Sequence, residues 1–594
     1  MRLKIVFYLF ILVWIILISK VYYLSIKSNS YFDSLAKQNI IKKEWIIPIR
    51  GEILDRNLKP LAINKIGFKI KIKPHLSYKK RVFELNETVD FILKLLPNLN
   101  KDKIYRKYRR KDSPYNHEYI EVVDFIPYEE AIPYFTKLNL QKNILIEPTF
   151  KRFYPYGKIA SHVIGYVSRT NKKEAKDVVA KMVGIIGKSG IEKFYNKYLQ
   201  GELGYRLIKV TAFNKEIEIL EEKSPKENQD LVLTIDIRLQ KYLEELFKDK
   251  SGVAIVMGLD GEILAAGSFP EYDLNMFVSG ISKKEWQELI SSFDHPFANK
   301  LVNGLYPPGS IIKMGVALSF LQSKKINQYT PFFCNGAIEL GKRKFRCWKR
   351  DGHRKIDMKI AIRESCDVYF YEGSLIVGID EIAKTLKRVG FGKKSGVDLP
   401  NEFIGIVPNK EWKEKKYGRK WFIGETVVAS IGQGYSLVTP IQVARHTALL
   451  ASSKLPTPYF AKKFIDSNFK PKYEDVLTLI QKRDLPLIQK AMYEVCNHPK
   501  GTATKYINTS IKIAGKTGTA QVIGIPQDEK KRMKEEELKY YSKSHAWLTT
   551  YGPYKDPKYI VTVLVEHGGH GGSTAGPIVS KIYDKLTELG YIND

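Results

Sequence analysis

The hydrophobic pattern separates a short apolar block from a long mixed remainder. Residues Ile5 to Ser19 (IVFYLFILVWIILIS) carry no charge, and after Lys20 the apolar run resumes as VYYLSI. As a helix, residues 5–26 reach about 33 Å, enough to cross a bilayer. Lys20 lies near the far end, where its stem carries the ammonium to the interface. Arg2 and Lys4 precede the span and favour a cytoplasmic N-terminus, with the bulk of the chain outside the cytoplasm. A cleaved signal peptide competes, with Ser28-Asn29-Ser30 as a small-x-small site. The apolar stretch is long for a signal, so an uncleaved single-pass anchor is preferred.

Beyond the anchor the pattern alternates. Residues 27–50 form a polar connection into IPIRGEILDRNLKPLA, where Arg50-Gly51 and Asp55-Arg56-Asn57 supply turns between strand-like runs. Residues 85–145 mix apolar helical stretches with many lysines and tyrosines. FKRFYPYGKIASHVIGYV (150–167) reads as strand and turn, GKSGIEKFYNKYLQGELGY (187–205) predicts an amphipathic helix, and EEKSPKENQD (221–230) reads as a linker. From Leu231 the texture changes, with a strand and then a helix in LVLTIDIRLQKYLEELF. GVAIVMGLDGEILAAGSFP (252–270) predicts a β-hairpin turning at Asp260-Gly261. Helical patterns follow at about 305–390 and 440–452. Strand-like runs come at 511–522, 545–553 and 559–569, and a closing helix is expected from near Pro577. A sheet with helical patterns before and after it predicts an α/β (α+β) fold.

Composition adds bounds. A chain of 594 residues exceeds a single core and predicts two or three domains. With 44% hydrophobic and 12% aromatic residues, wholesale disorder is excluded. The net charge of +33 is spread over lysines along the whole chain. Without a compact basic arm or a nucleic-acid motif, it reads as a solvated surface, and no nucleic-acid partner is expected.

Three short segments carry candidate chemistry. In YPPGSIIK, a helix opening at Ser310 would put Lys313 on the same face at i+3. A serine hydroxyl is a weak nucleophile without a base, and a desolvated lysine is one such base. On its own, Ser-x-x-Lys is frequent on ordinary solvated helices. Ser365-Cys366-Asp367 lies 55 residues beyond Ser310. It offers a second hydroxyl to relay a proton and a carboxylate to orient a substrate or the lysine. The competing reading is a helix N-cap. GKTGTA (515–520) offers a cation at Lys516 and a hydroxyl at Thr517. Gly518 has no side chain, which lets another backbone approach closely; the alternative is a strand broken by a bulge.

The order Ser-x-x-Lys, Ser-x-Asp, Lys-Thr-Gly resembles the three signatures of penicillin-binding proteins and serine β-lactamases. The middle motif there usually ends in Asn, and Asp367 departs from that. SCDVYFY, with RGEILDRN, GKSGIEKFYN, IGQGYSLVTPIQ and GKTGTAQV, is similar to the class B, elongation-type members, the penicillin-binding protein 2 branch. The likeness runs over nearly the whole chain. It implies a peptidoglycan D,D-transpeptidase in which Ser310 attacks the D-Ala-D-Ala carbonyl of a stem peptide and Lys313 takes its proton. Ser365 passes a proton to the departing D-alanine, Lys516 and Thr517 hold the donor's carboxylate, and Asp367 pairs with a site lysine. Gly518 and Thr519 complete the substrate strand, and the backbone N–H groups of Ser310 and Thr519 form the oxyanion hole. The resemblance also implies an anchor over residues 1–26, an elongated non-catalytic pedestal over 27–226 and a transpeptidase domain over 231–594. That last domain would have a five-stranded antiparallel sheet flanked by helices. Implied partners are β-lactams, a SEDS-type multi-pass glycan polymerase and elongation-complex scaffold proteins. The implied location is the bacterial inner membrane, with the catalytic domain in the periplasm, and no organic cofactor is implied. Water as acceptor would make the protein a D,D-carboxypeptidase or β-lactamase, and acylation without turnover would make it a β-lactam sensor.

Cys334, Cys347, Cys366 and Cys496 leave several readings open, and an exported protein permits disulfides. Cys334, Cys347, His353 and Cys366 also form a Cys₃His set suited to tetrahedral zinc. The gaps of 13, 6 and 13 residues contain no C-x-x-C. The resemblance adds weight at His353 and Cys366, while Cys334 and Cys347 replace carboxylate ligands of some relatives. Buried structural cysteines beside a surface histidine are the alternative. Zinc is preferred, in a structural role.

Overall fold

The computed structural model describes residues 2–27, 40–78, 81–211, 216–226, 230–278, 280–464, 467–522 and 539–593. The Ser28–Ser30 site and the centre of the expected linker, 227–229, lie outside them. The apolar block is helical from Arg2 to Tyr22 and continues as a wider turn through Lys27. Its side chains from Leu3 onward are exposed, as a lipid-facing helix requires.

Packing divides the chain into two units. One comprises residues 1–51, 170–185 and 200–228, and the other comprises 52–169, 186–199 and 229–594. The first holds a three-stranded antiparallel sheet of Ile41–Ile46, Gly204–Val210 and Glu216–Lys223, in which Gly204–Val210 is central. The expected linker therefore begins inside a strand, because Glu221, Glu222 and Lys223 pair with Leu207, Arg206 and Tyr205.

In the second unit most of the expected pedestal packs as one body with the expected catalytic region: packing divides the chain at 228/229, within the expected boundary, and also inside the expected pedestal, so that 52–169 and 186–199 go with 229–594. Leu231–Leu233 pairs in parallel with Ile53–Leu54, and buried Asp55 accepts from the Ile237 N–H. The long strand Pro60–Ile72 pairs with Ile120–Pro127 and Ile144–Phe153, and the helix Val82–Leu95 packs Leu85, Val89 and Ile92 into the same core. The helix expected over 187–205 breaks into Gly190–Phe194 and Asn196–Gln200. Tyr195 caps the first piece, and inside it Glu192 is fully buried and accepts from Arg152 Nε at 2.7 Å and from the Tyr154 hydroxyl at 3.2 Å.

The central sheet is built from β1 (Gly252–Gly258), β2 (Ile263–Phe269), β3 (Ala514–Ala520), β4 (His545–Gly552) and β5 (Tyr559–Val565). The strand order is β2-β1-β5-β4-β3, and every neighbour is antiparallel. β1 and β2 form the expected hairpin. Ala254, Val256, Leu548, Val561 and Val563 point into one core, and Val253, Ile255, Trp547 and Leu564 into another. Burial on both faces explains why these strands read as unbroken apolar runs rather than as alternation. α1 (Lys313–Ser323), α2 (Asp367–Val377), α3 (Pro440–Ser452), α4 (Leu479–Asn497) and α5 (Gly571–Glu588) surround the sheet. α5 starts six residues before Pro577, which lies inside it. Its start is set by packing: a Cβ on Gly571 would lie 2.3 Å from the Gly518 carbonyl.

Candidate active site

PPGSIIK folds as a 3₁₀ turn, Gly309–Ile312, leading into α1. The expected α-helical first turn is thus a tighter one, but residues three apart eclipse in a 3₁₀ turn, so Ser310 and Lys313 still share a side. Gly309 has φ 55°, and a Cβ on it would stand 2.9 Å from the Thr519 carbonyl. Tyr306 exchanges both backbone hydrogen bonds with Val438, at 3.0 and 2.9 Å, and Trp547 Nε1 donates to the Pro307 carbonyl at 3.2 Å. The nucleophile turn is therefore tied to the surrounding fold immediately before Ser310.

Lys313 points inward and is fully buried. Its Nζ donates to the Ser365 carbonyl (2.9 Å), to Ser365 Oγ (3.3 Å) and to Asp367 Oδ1 (2.8 Å). None of these three goes to Ser310. Ser365 sits at φ 54° in the turn before α2. The N-cap of α2 is Cys366, which makes no side-chain capping bond, so the capping alternative for Ser365 and Asp367 does not hold. Burial pushes the Asp367 carboxyl up from its ordinary pKa, while Lys313 draws it back down.

β3 is the outer strand of the sheet, and its register with β4 runs unbroken from Ala514 to Ala520, so there is no bulge in GKTGTA. The nucleophile turn lies against it. A Cβ on Gly518 would meet Ile311 Cγ2 at 3.0 Å and the Pro308 carbonyl at 3.1 Å, which is the close approach expected there. Lys516 is fully buried, and its Nζ donates to Ser365 Oγ and to the Thr517 carbonyl, both at 2.9 Å. Burial first, and the Lys313 charge second, hold its pKa well below the ordinary lysine value. The Thr517 and Thr502 hydroxyls share a hydrogen bond of 2.7 Å. The Thr519 carbonyl accepts from Gln433 Nε2, and Thr519 Oγ1 accepts from the Gly571 N–H, both at 3.4 Å.

Ser310, Ser365, Asp367, Thr517 and Thr519 thus line one groove of about 1600 Å³, with the two lysines buried beneath it. The arrangement supplies a half-buried hydroxyl on the groove, a second hydroxyl between two lysine Nζ atoms, and a carboxylate bonded to one of them. Trp348, Gln433 and Thr502 line the same groove and were not singled out from the sequence. Isolated polar residues in loops carry no periodic signal.

Beside the groove the gaps of 13, 6 and 13 residues close into a cluster. The ligand atoms of Cys334, Cys347, His353 and Cys366 all lie within 4.8 Å of one another, and all four residues are buried. Antiparallel pairing of Cys334 with Arg354 brings the first cysteine beside His353. His353 Nδ1 lies 3.6 Å from both the Cys334 and the Cys347 sulfur. About 3.5 Å is the S···N edge of a tetrahedron with metal–sulfur and metal–nitrogen legs of about 2.3 and 2.0 Å. The donor set therefore fits a tetrahedral metal ion. All four cysteines are free thiols, and Cys496 sits apart in α4.

Comparison with known proteins matches this geometry. The penicillin-binding protein dimerisation domain matches residues 46–233, and the penicillin binding protein transpeptidase domain matches residues 252–584. A peptidoglycan D,D-transpeptidase MrdA of Haemophilus influenzae is 33% identical over 96% of this chain and 89% of its own length. Among solved structures, the penicillin-binding protein PBP2 in a complex with MreC from Helicobacter pylori is 44% identical. It covers 93% of this chain and 100% of that one, with a TM-score of 0.85. A chain from a peptidoglycan synthase complex that coordinates polymerization and crosslinking is 25% identical, covering 100% of this chain and 99% of its own, with a TM-score of 0.72. The transpeptidase match takes in more than half of the chain and contains Ser310, Ser365 and Lys516 together, so this chain belongs to the penicillin-binding protein transpeptidase family.

Proposed function

We propose that this protein is a peptidoglycan D,D-transpeptidase of cell elongation, working through an acyl-enzyme on Ser310. One observation carries the reading: Ser310 opens onto a groove above two buried lysines that both donate to the Ser365 hydroxyl. Lys313 is paired with Asp367, whereas Lys516 Nζ bonds a hydroxyl and a carbonyl, and burial disfavours its charged form. An anionic group in the groove would favour the charged form of Lys516, and the terminal carboxylate of a D-Ala-D-Ala stem peptide supplies it.

In this reading Lys313 first gives one proton along its hydrogen bond to Asp367 Oδ1. Ser310 Oγ then forms a bond to the penultimate D-alanine carbonyl carbon, and its proton passes to the neutral Lys313 amine. The oxyanion is met by the backbone N–H groups of Ser310 and Thr519. The C–N bond to the terminal D-alanine then breaks, and Ser365, lying between the lysines, relays a proton to the leaving amine. Lys516 and Thr517 hold the leaving carboxylate. An amine of a neighbouring stem attacks the ester, forms the crosslink and returns its proton to Ser310. The Nζ bonds of Lys313 to Ser365 and Asp367 mean that hand-over from Ser310 follows a rearrangement when the donor arrives. A β-lactam takes the donor's place and leaves a slow acyl-enzyme.

The decisive experiment is labelling with a fluorescent penicillin followed by peptide mapping. Wild type should carry label on Ser310, and Ser310→Ala should carry none while retaining its melting temperature. Labelling of Ser310→Ala at the wild-type rate would sink the reading. Water as acceptor would give trimmed monomers instead of crosslinked dimers, which differ in mass.

The Cys₃His cluster holds a structural zinc ion in this reading, supported by the mutual distances of its four ligand atoms. Four protein ligands leave no open coordination position for catalysis. Elemental analysis of protein purified without chelator should find about one zinc per chain. Chelation should lower the melting temperature and slow acylation, because Cys347 and Cys366 flank the catalytic turn. Protein that is folded, active and metal-free would overturn it. In this reading the enzyme sits in the inner membrane with its groove in the periplasm, which the apolar helix Leu3–Lys27 supports. A SEDS-type glycan polymerase and an MreC-like scaffold are its partners, as the related complexes support.

A further inference from the structure

The Lys313 ammonium has two acceptors that are also held from a second side, by Trp348. Lys313 Nζ donates to the Ser365 carbonyl and to Asp367 Oδ1. The Trp348 indole Nε1–H donates to that same Ser365 carbonyl at 3.1 Å and to the Glu364 carbonyl at 3.0 Å. The Trp348 backbone N–H donates to the other carboxylate oxygen, Asp367 Oδ2, at 2.9 Å. Its neighbour Cys347 accepts from the Asp367 N–H at 3.4 Å. Trp348 therefore braces the whole turn from Glu364 to Asp367, while its ring stands half exposed on the groove wall and packs edge-on to His353.

The turn needs bracing. Ser365 is a non-glycine residue at φ 54°, a left-handed conformation that persists only where the surroundings impose it. Its carbonyl direction fixes the peptide plane into Cys366, and rotation about Ser365 would carry the hydroxyl away from its place between Lys313 and Lys516. The lysine bonds alone do not fix that plane, because Nζ sits on a flexible stem of four carbons. The indole N–H is carried on a rigid ring.

We propose that Trp348 is a positioning residue of the acyl-transfer reaction. Its indole N–H holds the Ser365 carbonyl, and through it the Ser365 hydroxyl, in line with the two lysines. The inference rests on Ser310 as the acylated residue.

The test uses the full-length protein in detergent and a fluorescent penicillin over a range of concentrations. The limiting acylation rate is thereby separated from the half-saturating concentration. Trp348→Phe keeps an aromatic ring and loses the donor. Replacement of Trp348 by β-(3-benzothienyl)alanine keeps the bicyclic shape and substitutes sulfur for the N–H. Both should lower the limiting rate by about tenfold, as loss of one well-placed hydrogen bond does. The half-saturating concentration, melting temperature and metal content should stay at wild-type values. A benzothienyl protein that acylates at the wild-type limiting rate overturns the inference. So does a loss that appears in half-saturation or melting temperature with the limiting rate intact. Ser310→Ala is the blank. If wild type acquires no label on Ser310, the functional reading falls and takes this inference with it. If wild type labels and the benzothienyl protein labels equally fast, only the role of Trp348 falls.

Discussion

Asp367 stands where an asparagine is the commoner residue of the motif, and its surroundings explain what the charge does. Both carboxylate oxygens accept: Oδ1 from the Lys313 ammonium and Oδ2 from the Trp348 backbone N–H. An amide offers one oxygen and one NH₂, so one of these two donors would face another donor. Asp367→Asn should therefore slow penicillin acylation by about tenfold without abolishing it. Complete loss of labelling in a folded Asp367→Asn protein would show that the carboxylate itself is indispensable. At this scale the sequence was legible for residue types and illegible for partners. Ser310, Lys313, Ser365 and Lys516 stood out because a hydroxyl three residues from a lysine, or a lysine beside Thr-Gly in an apolar run, is chemically conspicuous. Trp348 did not, because its role lies in a bond to a carbonyl 17 residues away.

β3 and the nucleophile turn meet in close contact at Gly518, against the Ile311 side chain and the Pro308 carbonyl. Gly518 makes this contact: the approach of Ile311 and Pro308 leaves about the space of a hydrogen atom on its Cα. Gly518→Ala should push the Gly309–Ile312 turn away from Thr519 and open the oxyanion pocket. Its acylation rate should fall by about tenfold or more, with only a small drop in melting temperature, since the strand itself tolerates alanine. A wild-type rate in Gly518→Ala would show that the turn has room to give. Elements were legible where burial is symmetrical. β1, β4 and β5 are apolar on both faces, so their runs were read correctly. Elements whose limits depend on a contact elsewhere were misread. α5 starts at Gly571, which packs against the Gly518 carbonyl, and the helix expected over 187–205 is divided at Tyr195.

Stability of the whole molecule responds to pH through histidines that the fold keeps neutral. His446 lies inside α3, bonded through Nδ1 to the Val389 carbonyl, and His162 is bonded through Nε2 to the Pro296 carbonyl. Burial lowers each imidazole from 6.5 to about 4. Unfolding releases both to ordinary values, so between pH 6.5 and 4 the unfolded chain binds more protons than the folded one. Their contribution is complete above pH 6.5 and is lost as pH falls towards 4, by about 3 kcal/mol for each site. Melting temperature should fall steeply from pH 7 to 4.5, and less steeply in His446→Gln; equal slopes would remove His446 from this account. Over the full length, the sequence by itself determined the long apolar N-terminal helix, the order of the three motifs and the strand-like runs of an α/β fold. These follow from local chemistry and from hydrophobic runs that are read residue by residue. Only the tertiary structure decided that residues 52–169 pack with 229–594, that Lys313 and Lys516 converge on one hydroxyl, and that four ligand atoms spread over 33 positions come within 4.8 Å. Such contacts join residues far apart in the chain, and their geometry is set by how buried surfaces fit together, which no local pattern records.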